Sequence, residues 1–210
     1  ELERVVREGW VRPCPTIELG CGTGADAVFL AARGFAVTAV DVARIALERA
    51  AARARQAGFD VRFVQKDVLD WKEPPQAVPF VLDNGLYHIL RKIDLDRYRS
   101  VVAALTQPGG HFLIFSGNAN EPSGLAGGPG PVKAREICDE WEAGGFDLVQ
   151  LREFRFHAVK KKDMGAAVDS PALQGHRGLL HPADPGGVAR DHGGHGHGSQ
   201  REVRVPHPAR

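Results

Sequence analysis

Features that mark secreted, membrane-spanning and metal-stabilised proteins are missing from this 210-residue sequence. The three cysteines, Cys14, Cys21 and Cys138, are odd in number and form no CxxC pair, which argues against a disulfide framework and a structural zinc site. No apolar run approaches the ~20 residues that span a bilayer, and no basic-then-apolar leader opens the chain. We therefore expect a protein of the reducing cytoplasm. Because Glu1 rather than Met comes first, we also expect an incomplete N-terminus.

A strong charge of one sign is also absent. The formal net charge is +1, and residues 1–157 hold 19 Lys and Arg against 21 Asp and Glu. Because phosphate contacts need a basic surface, this near-neutral body argues against nucleic acid as a partner. With 43% hydrophobic residues, the chain can bury the core of one ordinary globular domain. We expect neither nucleic acid nor a membrane as a partner.

Aromatic residues are missing from the last 53 positions, although the remainder of the chain has 15. A segment with so few large apolar side chains cannot offset its ordering entropy, which predicts a globular domain at 1–157 and an irregular tail at 158–210. A shifted reading frame or an unrelated tail after about His176 is our hypothesis for this change of composition. Imidazoles bind transition metals, but the glycine-spaced histidines at 192–197 lie in the predicted tail, so we expect no metal site.

Short apolar runs alternate with helical patterns along residues 1–157. Strands are predicted at 16–20, 35–40, 61–64, 78–82, 110–116 and 146–156, and helices at 25–33, 42–57, 95–105 and 132–143. Strands joined by crossover helices form a parallel sheet covered on both faces. The predicted fold is therefore α/β, a doubly wound, Rossmann-like and mostly parallel sheet with helices on both faces.

A glycine-rich turn joins the first predicted strand to the first helix. It reads Glu18-Leu-Gly20-Cys21-Gly22-Thr-Gly24, with a glycine at every second position. Glycines let the backbone turn tightly and approach a ligand, and the helix that follows points unpaired N–H groups into the turn. A plain tight turn is the structural alternative.

Asp41 ends the second predicted strand, in the run FAVTAVD. The helix of ~10 residues carries the chain ~15 Å away from the glycine turn, and the strand of ~6 residues returns it by ~20 Å. Asp41 is therefore expected beside the glycine turn, where a carboxylate accepts hydrogen bonds from a ribose diol. The spacing of the glycines departs from the GxGxxG of dinucleotide-binding proteins, which disfavours a nicotinamide cofactor.

The glycine turn together with Asp41 resembles the donor-binding motif of class I S-adenosylmethionine-dependent methyltransferases. Three further stretches are similar to that family: Gln65-Lys-Asp67 after the third strand, Asp83-Asn84-Gly-Leu-Tyr87-His88 after the fourth, and Pro108-Gly-Gly before the fifth. The second of these is similar to a segment of the small-molecule branch typified by thiopurine and tellurite-resistance methyltransferases. The resemblance implies a methyltransferase with S-adenosylmethionine as cofactor, S-adenosylhomocysteine as product and a small-molecule acceptor.

The same resemblance implies a role for each matching position. Backbone groups of the glycine turn would hold the carboxypropyl group, an acidic pair would hold the ribose and the adenine amino group, and two residues after the fourth strand would lie beside the methyl group. The cofactor-binding candidates are Glu18, Gly20, Cys21, Gly22, Asp41, Val42, Asp67, Val68, Asp83 and Asn84. The chain departs from the family at Asn84, where arginine is commoner, and in lacking most of the N-terminal segment that closes over substrate.

Methyl transfer by in-line displacement depends mainly on alignment and on exclusion of water. A thiol, chalcogen or halide acceptor, which we favour over oxygen or nitrogen, needs no general base. For the other acceptors His88 or Tyr87 is the nearest candidate catalytic base.

Simpler structural roles compete with several of these assignments. Asp67 would equally serve as a helix N-cap, Asp83 as a turn residue and His88 as a packed histidine, while Cys21 is a small filler rather than a nucleophile.

Since the segment after the fourth strand holds no proline, a base-amino nucleic-acid methyltransferase is disfavoured. Two alternatives stay open. The first is a non-catalytic protein that binds the donor or its product, or a degenerate methyltransferase fragment. The second is a nicotinamide-dependent oxidoreductase. The sheet of this family ends with one more antiparallel strand. Residues 172–175 begin at about the position expected for it, although the sequence beyond them is irregular.

Overall fold

A computed structural model describes residues 1–71, 76–117, 119, 132–156, 159–162, 166–169 and 173–182. The histidine-rich segment at 192–197, where we expect no metal site, lies outside these ranges. The helices are α1 (Leu2–Arg7), α2 (Ala25–Ala31), α3 (Arg44–Ala57), α4 (Tyr87–Leu105) and α5 (Ala134–Glu142). The strands are β1 (Pro15–Leu19), β2 (Ala36–Asp41), β3 (Arg62–Gln65), β4 (Val78–Asn84), β5 (Thr106–Gly117), β6 (Phe146–Phe156), β7 (Val159–Lys162), β8 (Ala166–Asp169) and β9 (Leu173–Pro182).

The main sheet has seven strands in the order β3-β2-β1-β4-β5-β9-β6. Strands β1 to β5 pair in parallel, and β9 is antiparallel to both of its neighbours. The predicted α/β fold with a mostly parallel, Rossmann-like sheet is confirmed. The strand order reverses between β1 and β4, so the carboxyl ends of these two strands border the crevice in which open α/β sheets bind ligands. Leu19 pairs with Asp83 and Val40 at this edge.

Alternating side chains of the central strands pack into two cores, one on each face of the sheet. In β5, Phe112 belongs to the core beneath α4 and α5, and Leu113 belongs to the core beneath α2. Trp141 of α5 is fully buried at the centre of the first core. Its ring centroid lies 4.7 Å from that of Phe112 and 5.3 Å from that of Phe146. These contacts fix α5, and therefore the side chains that α5 presents to α4, against the sheet.

The end of the sheet differs from the irregular tail predicted for 158–210. Leu173–Pro182 forms β9, inserted between β5 and β6, and Leu180 is fully buried. Without β9 the backbone donors and acceptors along Phe112–Gly117 would face an open edge, which is costly for buried strands. Pairing with β5 and β6, rather than the composition of the segment itself, accounts for a strand in this glycine- and histidine-containing sequence. The hypothesis of a shifted frame after His176 stays a prediction.

Two helical segments were also absent from the sequence prediction. Helix α1 precedes β1, and α4 starts at Tyr87 rather than at residue 95. Helix α4 contains a kink at Asp94 (φ −158°, ψ 88°), whose Oδ1 accepts a hydrogen bond of 2.9 Å from the Arg97 N–H. Asp94 thus caps a second helical segment, which is the part that the sequence pattern predicts. Across the described ranges, the helices lack the length and apolar character needed to cross a membrane.

Candidate active site

The glycine turn is held against the end of β2 by its own backbone. The N–H groups of Gly20 and Cys21 donate to the Val40 carbonyl, at 2.8 and 3.0 Å. Gly24 has a φ of +73°, and a Cβ atom there would lie 2.7 Å from the Cβ of Ala50. Only glycine combines this left-handed conformation with so close an approach of α3. The turn therefore places the start of α2 tightly against α3 at the carboxyl edge of the sheet.

Asp41 lies beside the glycine turn and is bound to it. Its Oδ2 accepts a hydrogen bond of 2.7 Å from the Gly22 N–H, and its Oδ1 accepts one of 2.8 Å from the Ala43 N–H. Val42 and Ile45 follow it and are 64% and 59% exposed, so an apolar surface adjoins the carboxylate. The structure brings together a carboxylate, a cradle of backbone groups and an apolar patch, which is suited to a nucleoside.

Glu18 and Cys21 are buried under the turn, at 2% and 6% exposed. Oε2 of Glu18 has no hydrogen-bond partner among the described residues. Burial raises the pKa of Glu18 well above its usual range, and the nearby carboxylates of Asp26, Asp41 and Asp83 raise it further. Burial likewise raises the pKa of the Cys21 thiol to about 12, so it is not a nucleophile at neutral pH.

Asp67 and Val68 follow β3, next to the end of β2. The Lys66 N–H donates to the Asp41 carbonyl at 3.0 Å, and Asp67 Oδ1 accepts a hydrogen bond of 2.9 Å from the Leu69 N–H. This contact closes a local turn, and no helix begins there among the described residues, so Asp67 is a turn residue rather than the helix N-cap of the structural alternative. Asp67 is exposed whereas Val68 is buried. The side chain of Asp67 is thus accessible near Asp41, and Val68 anchors the turn in the core.

Asp83 supports the site from beneath. It is fully buried and accepts hydrogen bonds from the Tyr98 hydroxyl and, at 2.7 Å, from the Leu86 N–H. It does not border the cavity described below. Burial raises the pKa of Asp83 to about 7 despite these donors. Asp83 therefore holds the turn between β4 and α4. This is the turn-residue role that competes with its predicted place beside the methionine moiety.

We expect Tyr98→Phe to destabilise the protein by roughly 1–3 kcal/mol, because it leaves one oxygen of Asp83 buried without its donor. Since the pKa of Asp83 is raised in the folded state, its ionisation reduces the free energy of unfolding as pH rises from about 4 through about 7. The loss in Tyr98→Phe should therefore be larger at pH 8 than at pH 5, as measured by urea unfolding.

Tyr87→Phe is the matched control, because the partner of Tyr87, Glu140, keeps its pairing with Arg91. Its loss should be smaller and similar at the two pH values. An equal, pH-independent loss in Tyr98→Phe and Tyr87→Phe would contradict the supporting role of Asp83.

A cavity of about 600 Å³ opens at the carboxyl ends of β4 and β5. Asn84 borders it, and its Nδ2 donates a hydrogen bond of 2.6 Å to Oδ2 of Asp26 at the start of α2. His88 of α4 also borders it. The full lining is Glu1, Leu2, Glu3, Ala25, Asp26, Phe29, Asn84, Gly85, His88, Phe115, Ser116, Gly117 and Phe154. The cavity therefore adjoins the glycine turn on the side away from Asp41.

His88 is half-buried at the cavity wall. Its Nδ1 is buried and has no hydrogen-bond partner among the described residues. Burial lowers the pKa of His88, and the charge of Lys92 lowers it further. The imidazole is therefore neutral at neutral pH, which is the state that a base requires.

Tyr87 does not fit the catalytic role expected from the sequence. The side chain is fully buried, and its hydroxyl donates a hydrogen bond of 2.6 Å to Oε2 of Glu140 on α5. Burial and the neighbouring Glu140 carboxylate raise the pKa of Tyr87. Arg91 completes the group by binding Glu140 and Glu136. The group clamps the first turn of α4 to α5 and lies outside the cavity lining.

Several cavity residues were not predicted from the sequence. Leu2 of α1 forms part of the wall, so a helix borders the cavity although the resemblance implies that most of the N-terminal segment is missing. Phe29, Phe115 and Phe154 come from α2, β5 and β6, which are far apart in the sequence. No local motif marks them, since only the topology brings them to one side of the sheet.

Comparison with known proteins shows what this arrangement is similar to. Residues 17–110 match the family model described as a methyltransferase domain. A curated relative, the 2-heptyl-1-hydroxyquinolin-4(1H)-one methyltransferase of Mycobacteroides abscessus, is 26% identical over 140 residues, which are 65% of this chain and 60% of that protein. The match thus spans three fifths of that relative's length.

Solved structures show the same fold. TehB from Haemophilus influenzae gives a TM-score of 0.68 at 15% identity, covering 87% of this chain and 62% of that one. The 1,6-didemethyltoxoflavin-N1-methyltransferase of Burkholderia thailandensis, solved with 1,6-didemethyltoxoflavin and S-adenosylhomocysteine, gives 0.67 at 22% identity, covering 87% and 77%. Residues 17–110 are thus similar to a methyltransferase domain, and the resemblance to S-adenosylmethionine-dependent methyltransferases seen in the glycine turn is confirmed.

Proposed function

We propose that this protein transfers the methyl group of S-adenosylmethionine to a small-molecule acceptor. The observation that carries the proposal is the hydrogen bond from the Gly22 N–H to Asp41, which joins the glycine turn to the carboxylate that we assign to the ribose. A cavity of about 600 Å³ adjoins the turn on its other side. Small-molecule sites have volumes of this order. The methyltransferase relatives support the same activity.

The residues around the turn fit a donor that carries positive charge. Asp26 and Asp41 place carboxylates at the turn, above the buried carboxyl groups of Glu18 and Asp83, whose raised pKa values reduce their charge at neutral pH. One oxygen of Glu18 is buried without a partner among the described residues. A sulfonium and an ammonium group would compensate that charge. Gly20, Cys21 and Gly22 would hold the carboxypropyl end through their backbone, Asp41 the ribose, Val42 the adenine face, and Asp67 with Val68 the adenine edge. Asn84 would lie beside the methyl group.

S-adenosylmethionine supplies a methyl group already activated on sulfur. The new bond forms from the acceptor atom to the methyl carbon as the carbon–sulfur bond breaks, its electron pair remaining on the sulfur of S-adenosylhomocysteine. An acceptor that arrives protonated gives its proton to His88, which is neutral and borders the cavity. The protein's contribution is to align the reactants and to exclude water beneath α1.

The preference for a thiol, chalcogen or halide acceptor, drawn from the small-molecule branch, stays a prediction. The alternative of a non-catalytic binder relied on a missing closure and a damaged last strand. Helix α1 borders the cavity and β9 completes the sheet, so these two arguments for a non-catalytic binder are weakened.

Turnover decides between the methyltransferase and the non-catalytic binder. The purified protein is incubated with S-adenosylmethionine and a panel of thiols, phenols and amines, and S-adenosylhomocysteine is quantified. We expect product above the acceptor-free background for at least one acceptor class. Binding of the donor without product for any class would favour the non-catalytic alternative.

We predict that the acid limb of the pH–rate profile lies below the ~6.5 of an unperturbed histidine, because burial and Lys92 lower the pKa of His88. Lys92→Gln removes a positive charge, so it raises that pKa and should move the limb to higher pH. Lys133→Gln, at an exposed position before α5, is the charge-matched control and should leave the profile unchanged. A limb that does not move in Lys92→Gln, or that persists in His88→Ala, would remove His88 from the proton path.

A further inference from the structure

Three phenylalanines form much of the cavity wall. Phe115 and Phe154 meet edge to face, with ring centroids 5.6 Å apart and an interplanar angle of 73°. Phe29 is half-buried, and the guanidinium of Arg33 lies 3.5 Å from its ring centroid, which holds the ring in place. Fixed aromatic faces and edges favour a flat aromatic ligand over an aliphatic one of equal size.

The charge of the wall is of one sign. Asp26, Glu1 and Glu3 contribute carboxylates, of which that of Glu1 is paired with Arg4, and the described side chains that line the cavity include neither lysine nor arginine. The nearby Arg33 is already engaged, because it donates to the Phe29 carbonyl at 3.1 Å and lies 4.0 Å from Glu3. An anionic ligand would therefore enter without a cation to compensate its lost hydration.

His88 does not supply the missing cation. Its pKa is lowered by burial and by Lys92, so the ring is neutral at neutral pH. Asn84 has its Nδ2 bound to Asp26, and Ser116 contributes a buried hydroxyl that has no partner among the described residues. The wall thus offers aromatic surface, a neutral imidazole and a neutral hydroxyl, and its described side chains include no cation to pair with an anion.

We propose that the methyl acceptor is an uncharged aromatic compound, bound between Phe29, Phe115 and Phe154 and losing its proton to His88. This inference rests on the proposed function and narrows it. Within the acceptor classes expected from the sequence, it disfavours free halide and chalcogen oxyanions, which bring negative charge and no apolar surface. A neutral ring bearing an –OH or –SH group fits the cavity, and methylation then replaces that hydrogen.

The test is calorimetric titration of the protein saturated with S-adenosylhomocysteine. The probes are 2-naphthol, 2-naphthoate, decahydro-2-naphthol and sodium iodide at pH 7, which separate aromatic character, negative charge and size. We expect 2-naphthol to bind at least about tenfold more tightly than 2-naphthoate and about fivefold more tightly than decahydro-2-naphthol. Iodide should show no saturable binding. Tighter binding of 2-naphthoate or iodide than of 2-naphthol would overturn the proposal.

Phe29→Leu keeps an apolar side chain of similar size but removes the ring, at a half-buried position on the edge of the core beneath α2. It should reduce the preference for 2-naphthol over decahydro-2-naphthol at least about twofold, since Phe115 and Phe154 keep their rings. Phe59→Leu is the matched control, because Phe59 is 39% exposed and absent from the cavity lining. An aromatic preference that is unchanged in Phe29→Leu contradicts the proposed binding mode.

Failure of this inference is distinguishable from failure of the proposed function. If S-adenosylhomocysteine binds but the aromatic probe does not, the donor site stands and the acceptor class is wrong. If S-adenosylhomocysteine does not bind, the proposed function fails, and titration of 2-naphthol against the unloaded protein still decides what the cavity takes.

Discussion

Gly24→Ala is expected to lower the free energy of unfolding by roughly 3 kcal/mol. The left-handed conformation of residue 24 costs an alanine about 1–2 kcal/mol. The new methyl group would also lie 2.7 Å from the Cβ of Ala50, and overpacking of this kind costs typically ~1–3 kcal/mol. Because relief requires α2 and α3 to separate, the turn moves as well, so affinity for S-adenosylhomocysteine should fall together with stability. Urea unfolding and calorimetric titration measure the two effects.

Gly58→Ala is a control that shares the backbone conformation but not the contact. Gly58 has a φ of +74°, and a Cβ there would meet no described atom within 4 Å. Its loss should be limited to about 1 kcal/mol, with the affinity for S-adenosylhomocysteine unchanged. The double variant Gly24→Ala, Ala50→Gly should recover the part of the loss that comes from the contact. Equal losses in Gly24→Ala and Gly58→Ala would show that the close approach of α3 has no energetic weight.

Asp41→Ala should weaken the binding of S-adenosylhomocysteine by about 100-fold or more. The carboxylate holds the Gly22 and Ala43 N–H groups, so its removal releases the turn as well as the group assigned to the ribose. Hydrogen bonds to charged groups are worth about 1.5–3 kcal/mol each, and every 1.4 kcal/mol is a tenfold change in affinity. Isothermal titration calorimetry of the wild type and the variant gives the ratio.

Two further variants separate the local effect from a general loss of negative charge. Asp60→Ala removes an exposed carboxylate after α3 and should change the affinity less than twofold. Asp41→Asn keeps one acceptor oxygen and should fall between Asp41→Ala and the wild type. An affinity that is insensitive to Asp41 would mean that the ligand lies elsewhere on the sheet.

The donor side of the site could be predicted from the sequence because its determinants are local. A strand, a glycine turn and a helix follow one another within 15–31, and Asp41 returns to the turn by one helix and one strand, whose lengths fix the distance. The structure places Asp41 within hydrogen-bond distance of Gly22. The alternation of apolar runs with helical patterns was also sufficient to predict a mostly parallel sheet, although not the order of its strands.

The parts of the fold and of the site that the sequence did not predict depend on contacts between segments that are distant along the chain. The burial of Tyr87 follows from Glu140 on α5, 53 residues away, and nothing in the sequence around Tyr87 indicates that partner. Strand β9 forms by pairing with β5 on one side and β6 on the other. Its composition alone predicts an irregular segment, because these partners are not visible in the local sequence. The aromatic wall combines Phe29 with Phe154, residues that only the sheet topology brings together.

The central claim is that the glycine turn and Asp41 form a site for the methyl donor rather than for a nicotinamide dinucleotide. Calorimetric titration of the wild-type protein with S-adenosylhomocysteine, and in parallel with NAD and NADH, tests it most directly. We predict saturable one-to-one binding of S-adenosylhomocysteine and no saturable heat with either dinucleotide. Binding of NADH in its place, or no binding by protein that melts cooperatively, would contradict the account.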